Sequence, residues 1–307
     1  MRRFPVVAVA AILMVLAGGA AARGEESPVN QIPAADVQAI EKAAPDAPAA
    51  KPAKARKVLV YGRVPTHGDP VKYCFRTMEI LGKKSGAFEA VSSGDPTAFL
   101  PESLKAFDAV VMNNTHEAAP LLPLNFKDLG ADEQAKAKAQ ESVLKKSLLD
   151  FVSGGKGLAG IHGAACSVQW PEYVEMVGGT YATHIAGAGW VRVEDAASPL
   201  CTGLPKESIA IDDEMYIFGG PYSRQKLHVL AALDLAKMKD PEKRPDKDYA
   251  VSWIRDCGKG RVFYFSLGHA AATYRNPECL KLMLAGVQYA IGDLAADATP
   301  SGEKKKD

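Results

Sequence analysis

The chain has 307 residues, 47% hydrophobic and 24% charged, with 27 Gly and 20 Pro, an ordinary globular composition long enough for one large core. Its formal charge is +1, and −1 once the two N-terminal arginines are set aside (37 − 2 = 35 Lys+Arg against 36 Asp+Glu). No basic excess calls for nucleic acid or an anionic membrane surface as a partner.

Residues 1–22 read as an export signal. Arg2 and Arg3 supply the positive start, Phe4 to Leu16 the apolar stretch, and Ala20-Ala21-Ala22 the small-residue cleavage site. The mature chain is expected to begin near Arg23, in the periplasm or outside the cell. The apolar run is short of the roughly 20 residues that span a bilayer, so no stable membrane insertion is expected after cleavage. Residues 23–55 are rich in Ala, Pro and Lys and are expected to be a disordered, solvated linker. The charged tail 293–307 is expected to be disordered as well. Between them, residues 56–292 form one α/β domain.

Export places Cys74, Cys166, Cys201, Cys257 and Cys279 in an oxidising compartment, where an odd number leaves at least one unpaired. Their wide spacing matches no zinc-finger or CxxC pattern. They read mostly as small buried hydrophobes, with room for one disulfide.

Within the domain, Val58–Tyr61, Ala109–Met112, Gly157–Ile161 and Val262–Ser266 are continuous and uncharged, as strands covered on both faces are. A helix through Phe75, Met78 and Leu81 follows the first strand. Asp132 to Val152 carries Leu144, Leu148, Phe151 and Val152 on one face and stops at Gly154-Gly155. A shorter helix follows Trp170-Pro171. The last helix has Asn276 as cap, Pro277 in its first turn, and Leu280, Met283, Leu284, Val287 and Ile291 at helical spacing. Strands alternating with helices predict a doubly wound, mainly parallel sheet with helices on both faces.

Common chemical motifs are missing. Tyr61-Gly62-Arg63-Val64-Pro65 stands where a G-x-G-x-x-G dinucleotide fingerprint would, so no nucleotide cofactor is expected. Gly258-Lys259-Gly260 precedes a strand and reads as a hairpin turn. There is no G-x-S-x-G elbow, and His116-Glu117 lacks the second histidine of a zincin helix.

The six histidines carry the most information. His67, His116, His162 and His269 each follow a strand, and in a parallel sheet such loops leave by one edge, where ligands bind. Gly160, Gly163 and Gly268 allow tight turns there. His184, in a glycine-rich stretch, could reach the same crevice, whereas His228, inside Leu227-His-Val-Leu230, reads as structural. The acidic triplet Asp212-Asp213-Glu214 lies between apolar runs, where such a triplet is usually a solvated turn, but one member turned inward could act as ligand or base.

These residues resemble the ThuA-like (trehalose utilisation) family. The resemblance rests on Gly154-Gly-Lys-Gly-Leu-Ala-Gly-Ile-His-Gly-Ala-Ala165, Trp170-Pro-Glu-Tyr173, Gly178-Gly179 and His184. In order there follow Ser198-Pro-Leu200, Gly203-Leu-Pro205, Asp213-Glu-Met-Tyr216, Val251-Ser-Trp253, Gly258-Lys-Gly-Arg-Val-Phe-Tyr264 and Ser266-Leu-Gly-His269. The resemblance implies a flavodoxin-like sheet similar to class I glutamine amidotransferases. There, a cysteine occupies the turn where this chain has His162, which excludes thiolate acyl transfer at that position. It also implies carbohydrate catabolism, with a disaccharide, glycoside or keto-sugar as substrate.

Three readings remain open at this stage. The first is a sugar-active enzyme, a hydrolase, lyase or isomerase, with a zinc-like divalent metal on His162, His184 and His269 and Glu214 as ligand or base. The second drops the metal and gives acid and base roles to His162 and His269. The third is a non-catalytic carbohydrate-binding module. His67, His116, Trp170 and Tyr216 are the candidate substrate contacts, in the third reading Trp170, Tyr181, Trp190, Tyr216 and Tyr274 offer faces for stacking on a pyranose, and a homo-oligomer is compatible with all three.

Overall fold

The computed structural model describes residues 31–302. The expected signal, residues 23–30 of the linker, and residues 303–307 lie outside that range.

The elements run in chain order as α1 (Ala34–Ala43), β1 (Lys57–Tyr61), α2 (Val64–His67), α3 (Asp69–Ser85), β2 (Glu89–Ser93), α4 (Pro101–Leu104), β3 (Ala109–Asn113), α5 (Ala131–Ser153) and β4 (Gly157–Ile161). Then come α6 (Pro171–Val177), β5 (Thr180–Val193), β6 (Ile209–Gly219), β7 (His228–Leu233), β8 (Ala250–Cys257), β9 (Gly260–Phe265), α7 (Ala271–Tyr274) and α8 (Pro277–Ala290). The nine strands form one sheet in the order β2-β1-β3-β4-β9-β8-β7-β5-β6. Its first five strands pair in parallel, the arrangement the uncharged runs predict. From β9 onward every pairing is antiparallel.

Alternation along each strand divides the interior in two. Val58 and Val60 of β1 join one core, shared with α1, α3 and α8, while Leu59 and Tyr61 join the other, under α5 and α6. Helices therefore cover both faces. On α5, Leu144, Leu148 and Val152 are all but fully buried, four residues apart, and burial of side chains of this size contributes about 1.5–3 kcal/mol each. The start of α8 is capped as its sequence predicts, Asn276 accepting from the N–H groups of Glu278 and Cys279 at 3.0 Å.

Two segments depart from the expectation of disorder. Residues 34–55 are no free tether. Ile40 of α1 is buried against the α3 and α8 core, and the Gln288 amide gives the extended chain its hydrogen bonds, to Ala49 N–H at 2.6 Å and Ala50 C=O at 2.6 Å. Residues 293–302 are also held. Asp293 pairs with Arg56, Leu294 is buried, and Ser301 exchanges hydrogen bonds with Leu227 and Val229. In both, isolated apolar residues and main-chain hydrogen bonds fix the chain without any amphipathic period in the sequence.

His228 is structural, buried between the Asp195 carboxylate at 2.7 Å and the Thr299 carbonyl at 2.8 Å. All five cysteines are unpaired. Among the described residues no helix is long and apolar enough to cross a membrane.

Candidate functional site

The parallel register sets the site. Asn113, Ile161 and Phe265 lie side by side at the ends of β3, β4 and β9, and Tyr61 ends β1 beside Met112. The chain segments leaving this edge carry His67, His116, His162 and His269. Their rings meet. His67 stacks on His116 at 4.6 Å between centroids and lies 5.9 Å from His162 and 5.2 Å from His269, while His162 and His269 are 5.5 Å apart.

His162 itself, between Gly160 and Gly163, takes the left-handed backbone conformation, at φ 45°. Such a conformation in a residue with a side chain persists where the surroundings hold it. Tyr264 donates to the His162 carbonyl at 2.6 Å, and the His162 Nδ1–H donates to the Ser266 carbonyl at 2.7 Å. That second bond leaves Nε2 as the ring nitrogen on the Glu214 side, 3.6 Å from the carboxylate, buried and without a hydrogen-bond partner. Nε2 of His67 is likewise buried and unpartnered.

The antiparallel half of the sheet brings the remaining groups. In the β5–β6 pair, His184 lies opposite Tyr216 and Ala186 opposite Glu214, so His184, Glu214 and Tyr216 share one face. The Glu214 carboxylate approaches Nε2 of His162 at 3.6 Å and Nε2 of His184 and His269 at 3.7 Å. A 2.9 Å hydrogen bond between Tyr181 Oη and Nδ1 of His184 turns that ring toward Glu214. His162 is fully buried, while His184 and His269 are about 40% exposed and form the open side of the crevice.

Protonation follows from these contacts. The Glu214 carboxyl is held down to about 2, chiefly by His162, with His269 and His184 adding to it against the opposing effect of burial. Burial, reinforced by the neighbouring imidazoles of His116, His162 and His269, lowers His67 to about 4. His116 is lowered too, by burial first and His162 second. At neutral pH the centre thus contains one ionised carboxylate among rings that include at least two neutral imidazoles.

Nitrogen and carboxylate donors of this kind suit a divalent transition metal, and the two unpartnered Nε2 atoms are of the right chemistry. The geometry is more open than a ligand shell. Donors sharing a tetrahedral ion at bond lengths near 2 Å stand about 3.3 Å apart, and among the described residues no group of three or more His, Cys, Asp or Glu side chains closes into a metal-holding set. Glu214 is the group common to His162, His184 and His269, 3.6–3.7 Å from Nε2 of each.

Two of the expected substrate contacts sit elsewhere than on an open wall. Trp170 is a core residue, 1% exposed, stacked on Tyr173 at 4.9 Å with the Lys145 ammonium over its ring. Tyr216 is 2% exposed and backs His162 at 4.1 Å between rings. Sequence reasoning passed over Arg63 and Glu117. Arg63 Nε donates to Glu117 Oε1 at 2.7 Å and Nη1 to the Leu122 carbonyl at 2.6 Å, joining the segments that carry His67 and His116. Asp213, the buried member of the acidic triplet, was passed over in favour of Glu214.

Comparison with known proteins places the chain in a family. The pattern of the ThuA family, described as trehalose utilisation, matches residues 57–290. The chain belongs to the ThuA family. Among solved structures, this ThuA protein is similar to one described as ThuA-like from Bacteroides uniformis, with a TM-score of 0.60 and 20% identity over 83% of this chain and 99% of that one. A second, from Parabacteroides merdae, gives a TM-score of 0.55 and 16% identity over 80% and 93% of the two chains. A cytoplasmic protein of Salmonella typhimurium gives 0.50 and 10% over 79% and 100%. At these identities the likeness establishes a shared flavodoxin-like fold for the ThuA chain. No curated protein matches it.

Proposed function

We propose that this ThuA-family protein is an exported enzyme that moves protons on a neutral sugar or keto-sugar bound in the histidine crevice. The observation that carries the reading is the convergence of His162, His184 and His269 on the Glu214 carboxylate at 3.6–3.7 Å, at the edge of the sheet where α/β folds bind ligands. The family's link to trehalose utilisation supports a carbohydrate substrate.

The roles follow from protonation. A carboxyl held down to about 2 is a weak base, so Glu214 is better placed as the counter-charge for an imidazolium than as the proton acceptor. His162, its Nδ1–H committed to Ser266, offers Nε2 as the acceptor, and Glu214 stabilises the cation that forms. His269, more exposed and facing the same carboxylate, is the partner that returns a proton to oxygen or carbon. Neutral His67 and His116 are suited to hydrogen bonds with sugar hydroxyls. On a keto-sugar this set removes the proton on the carbon beside the carbonyl and delivers one to the oxygen, the shared first step of isomerisation and β-elimination.

The test is incubation of the purified protein with keto-derivatives of trehalose and other glucosides in D2O, followed by proton NMR. Loss of the signal next to the carbonyl, with or without elimination, supports the reading. Saturable binding with no exchange and no product in any of them makes the protein a carbohydrate-binding module instead. Metal content measured on protein purified without chelator decides whether an ion joins the centre. The order of charge, apolar stretch and small residues in 1–22 supports the export part of the proposal.

A further inference from the structure

The Asp213 carboxylate is 3% exposed and lies beneath the segment that carries His269. Its Oδ1 accepts the N–H groups of Glu214 at 2.7 Å, His269 at 3.0 Å and Ala270 at 2.9 Å. Its Oδ2 accepts the Gly268 N–H at 2.8 Å and the Thr273 hydroxyl. A carboxylate taken out of water needs such compensation, and charge-assisted bonds of this type are stronger than neutral ones. All the donors but one are main-chain groups, so the interaction fixes where the backbone runs and not merely what it carries.

The segment it fixes is pressed against the rest of the centre. Gly268 has φ +134°, and a Cβ there would stand 2.9 Å from Tyr274 Oη, 3.2 Å from Ile161 Cγ2 and 3.5 Å from the His162 Cβ. One side chain on β6 thereby ties the Glu214 backbone to a loop that begins after β9 and touches the end of β4. We propose that Asp213 is the positioning residue of the centre: its buried carboxylate gathers the N–H groups of 214 and 268–270 and so sets the 3.7 Å approach of His269 to Glu214. This rests on the reading of the crevice as an active centre, but its structural content is testable without a substrate.

The test uses the full mature chain labelled for NMR, with Asp213→Asn and Thr273→Val. Asparagine keeps one acceptor oxygen and puts an N–H group against the Gly268 donor. Valine removes a single donor and leaves the main chain alone. For Asp213→Asn, amide exchange at 268–270 is expected to rise about 100-fold while Val262 to Phe265 change less than about 3-fold, with the His269 ring resonances shifting alongside. For Thr273→Val the rise at 268–270 is expected to be less than about 10-fold and still local. Unchanged exchange at 268–270, or a rise shared equally by the β9 core, would overturn the proposal. Should Asp213→Asn fail to fold, the valine variant decides by the same criterion. If the loop loosens as stated but no keto-sugar is turned over by the wild type, the positioning role stands and the enzymatic reading falls.

Discussion

Glu214 and His162 stand 3.6 Å apart although four strands, β9, β8, β7 and β5, separate β6 from β4 in the sheet. They meet because the 14-residue β5 also packs against the 162–166 segment that leaves β4, and β6 against α7, which follows His269. The crevice is therefore built from two halves of one sheet, with His67, His116, His162 and His269 on segments that leave the parallel strands and His184 and the Glu214 carboxylate on the antiparallel β5–β6 pair.

The two central histidines differ in what they do for stability. His162 is fully buried, and its loss leaves the Ser266 carbonyl without its donor, so His162→Ala is expected to cost about 1–3 kcal/mol in urea unfolding. His269 is 40% exposed, and His269→Ala is expected to stay within about 0.5–1 kcal/mol of wild type. Equal, negligible costs for both would show that His162 is held less firmly than its contacts indicate. Both substitutions are expected to abolish turnover.

Acid should destabilise the protein in two stages. His67 is lowered from 6.5 to about 4 in the folded state, so between these values the unfolded chain binds the extra proton. Its contribution is complete above about 6.5 and disappears as pH falls toward 4. Glu214, lowered from 4.5 to about 2, contributes above 4.5 and loses that contribution as pH falls toward 2. Thermal unfolding followed from pH 7 to pH 4 should show the midpoint falling, and His67→Gln should flatten the decline between 6.5 and 4. An identical slope in that variant would count against the buried neutral imidazole.

The Arg63–Glu117 pair, 6% and 16% exposed, joins the segments that carry His67 and His116. Removing one partner strands the other, so Arg63→Met is expected to cost about 2–4 kcal/mol, with much of it recovered in Arg63→Met/Glu117→Leu. A double-mutant cycle in urea measures this. Strictly additive losses would mean that the pair is not coupled.

Much of the fold could be read from the chain because the parallel strands are uncharged and their helices carry caps, Asn276 above all. Of the antiparallel half, the β8–β9 hairpin at Gly258-Lys259-Gly260 was legible, but the β5, β6 and β7 pairings were not. β5 contains Thr180-Tyr-Ala-Thr-His-Ile-Ala-Gly-Ala-Gly189, small and polar residues with few large apolar ones, and none of Thr180 to Ala188 is fully buried. Histidines after strands pointed to the crevice on topology alone, whereas Glu214 was singled out from its acidic triplet by the family resemblance of Asp213-Glu-Met-Tyr216. Asp213 was hidden because its donors are main-chain N–H groups, which leave no trace in residue type. Trp170 was misplaced for the opposite reason: an aromatic residue beside a candidate loop reads the same whether it lines a pocket or, as here, fills the core under α5.

The mature N-terminus is expected close to Arg23. Mass spectrometry of the protein recovered from its native host checks this. An intact Met1 on cytosolic protein would remove export from the proposal and leave the crevice untouched.

Deuterium exchange into keto-sugars tests the central claim most directly. Wild-type protein in D2O at neutral pH is expected to exchange the proton on the carbon beside the carbonyl of a keto-glucoside. His162→Ala should lose that exchange entirely, and Glu214→Gln should retain it about 100- to 1,000-fold more slowly, the usual range for losing an electrostatic stabiliser of a transition state. Exchange that persists at wild-type rate in both variants, or that is absent from the wild type with every keto-sugar offered, would contradict the assignment of His162 and Glu214 as the groups that move the proton.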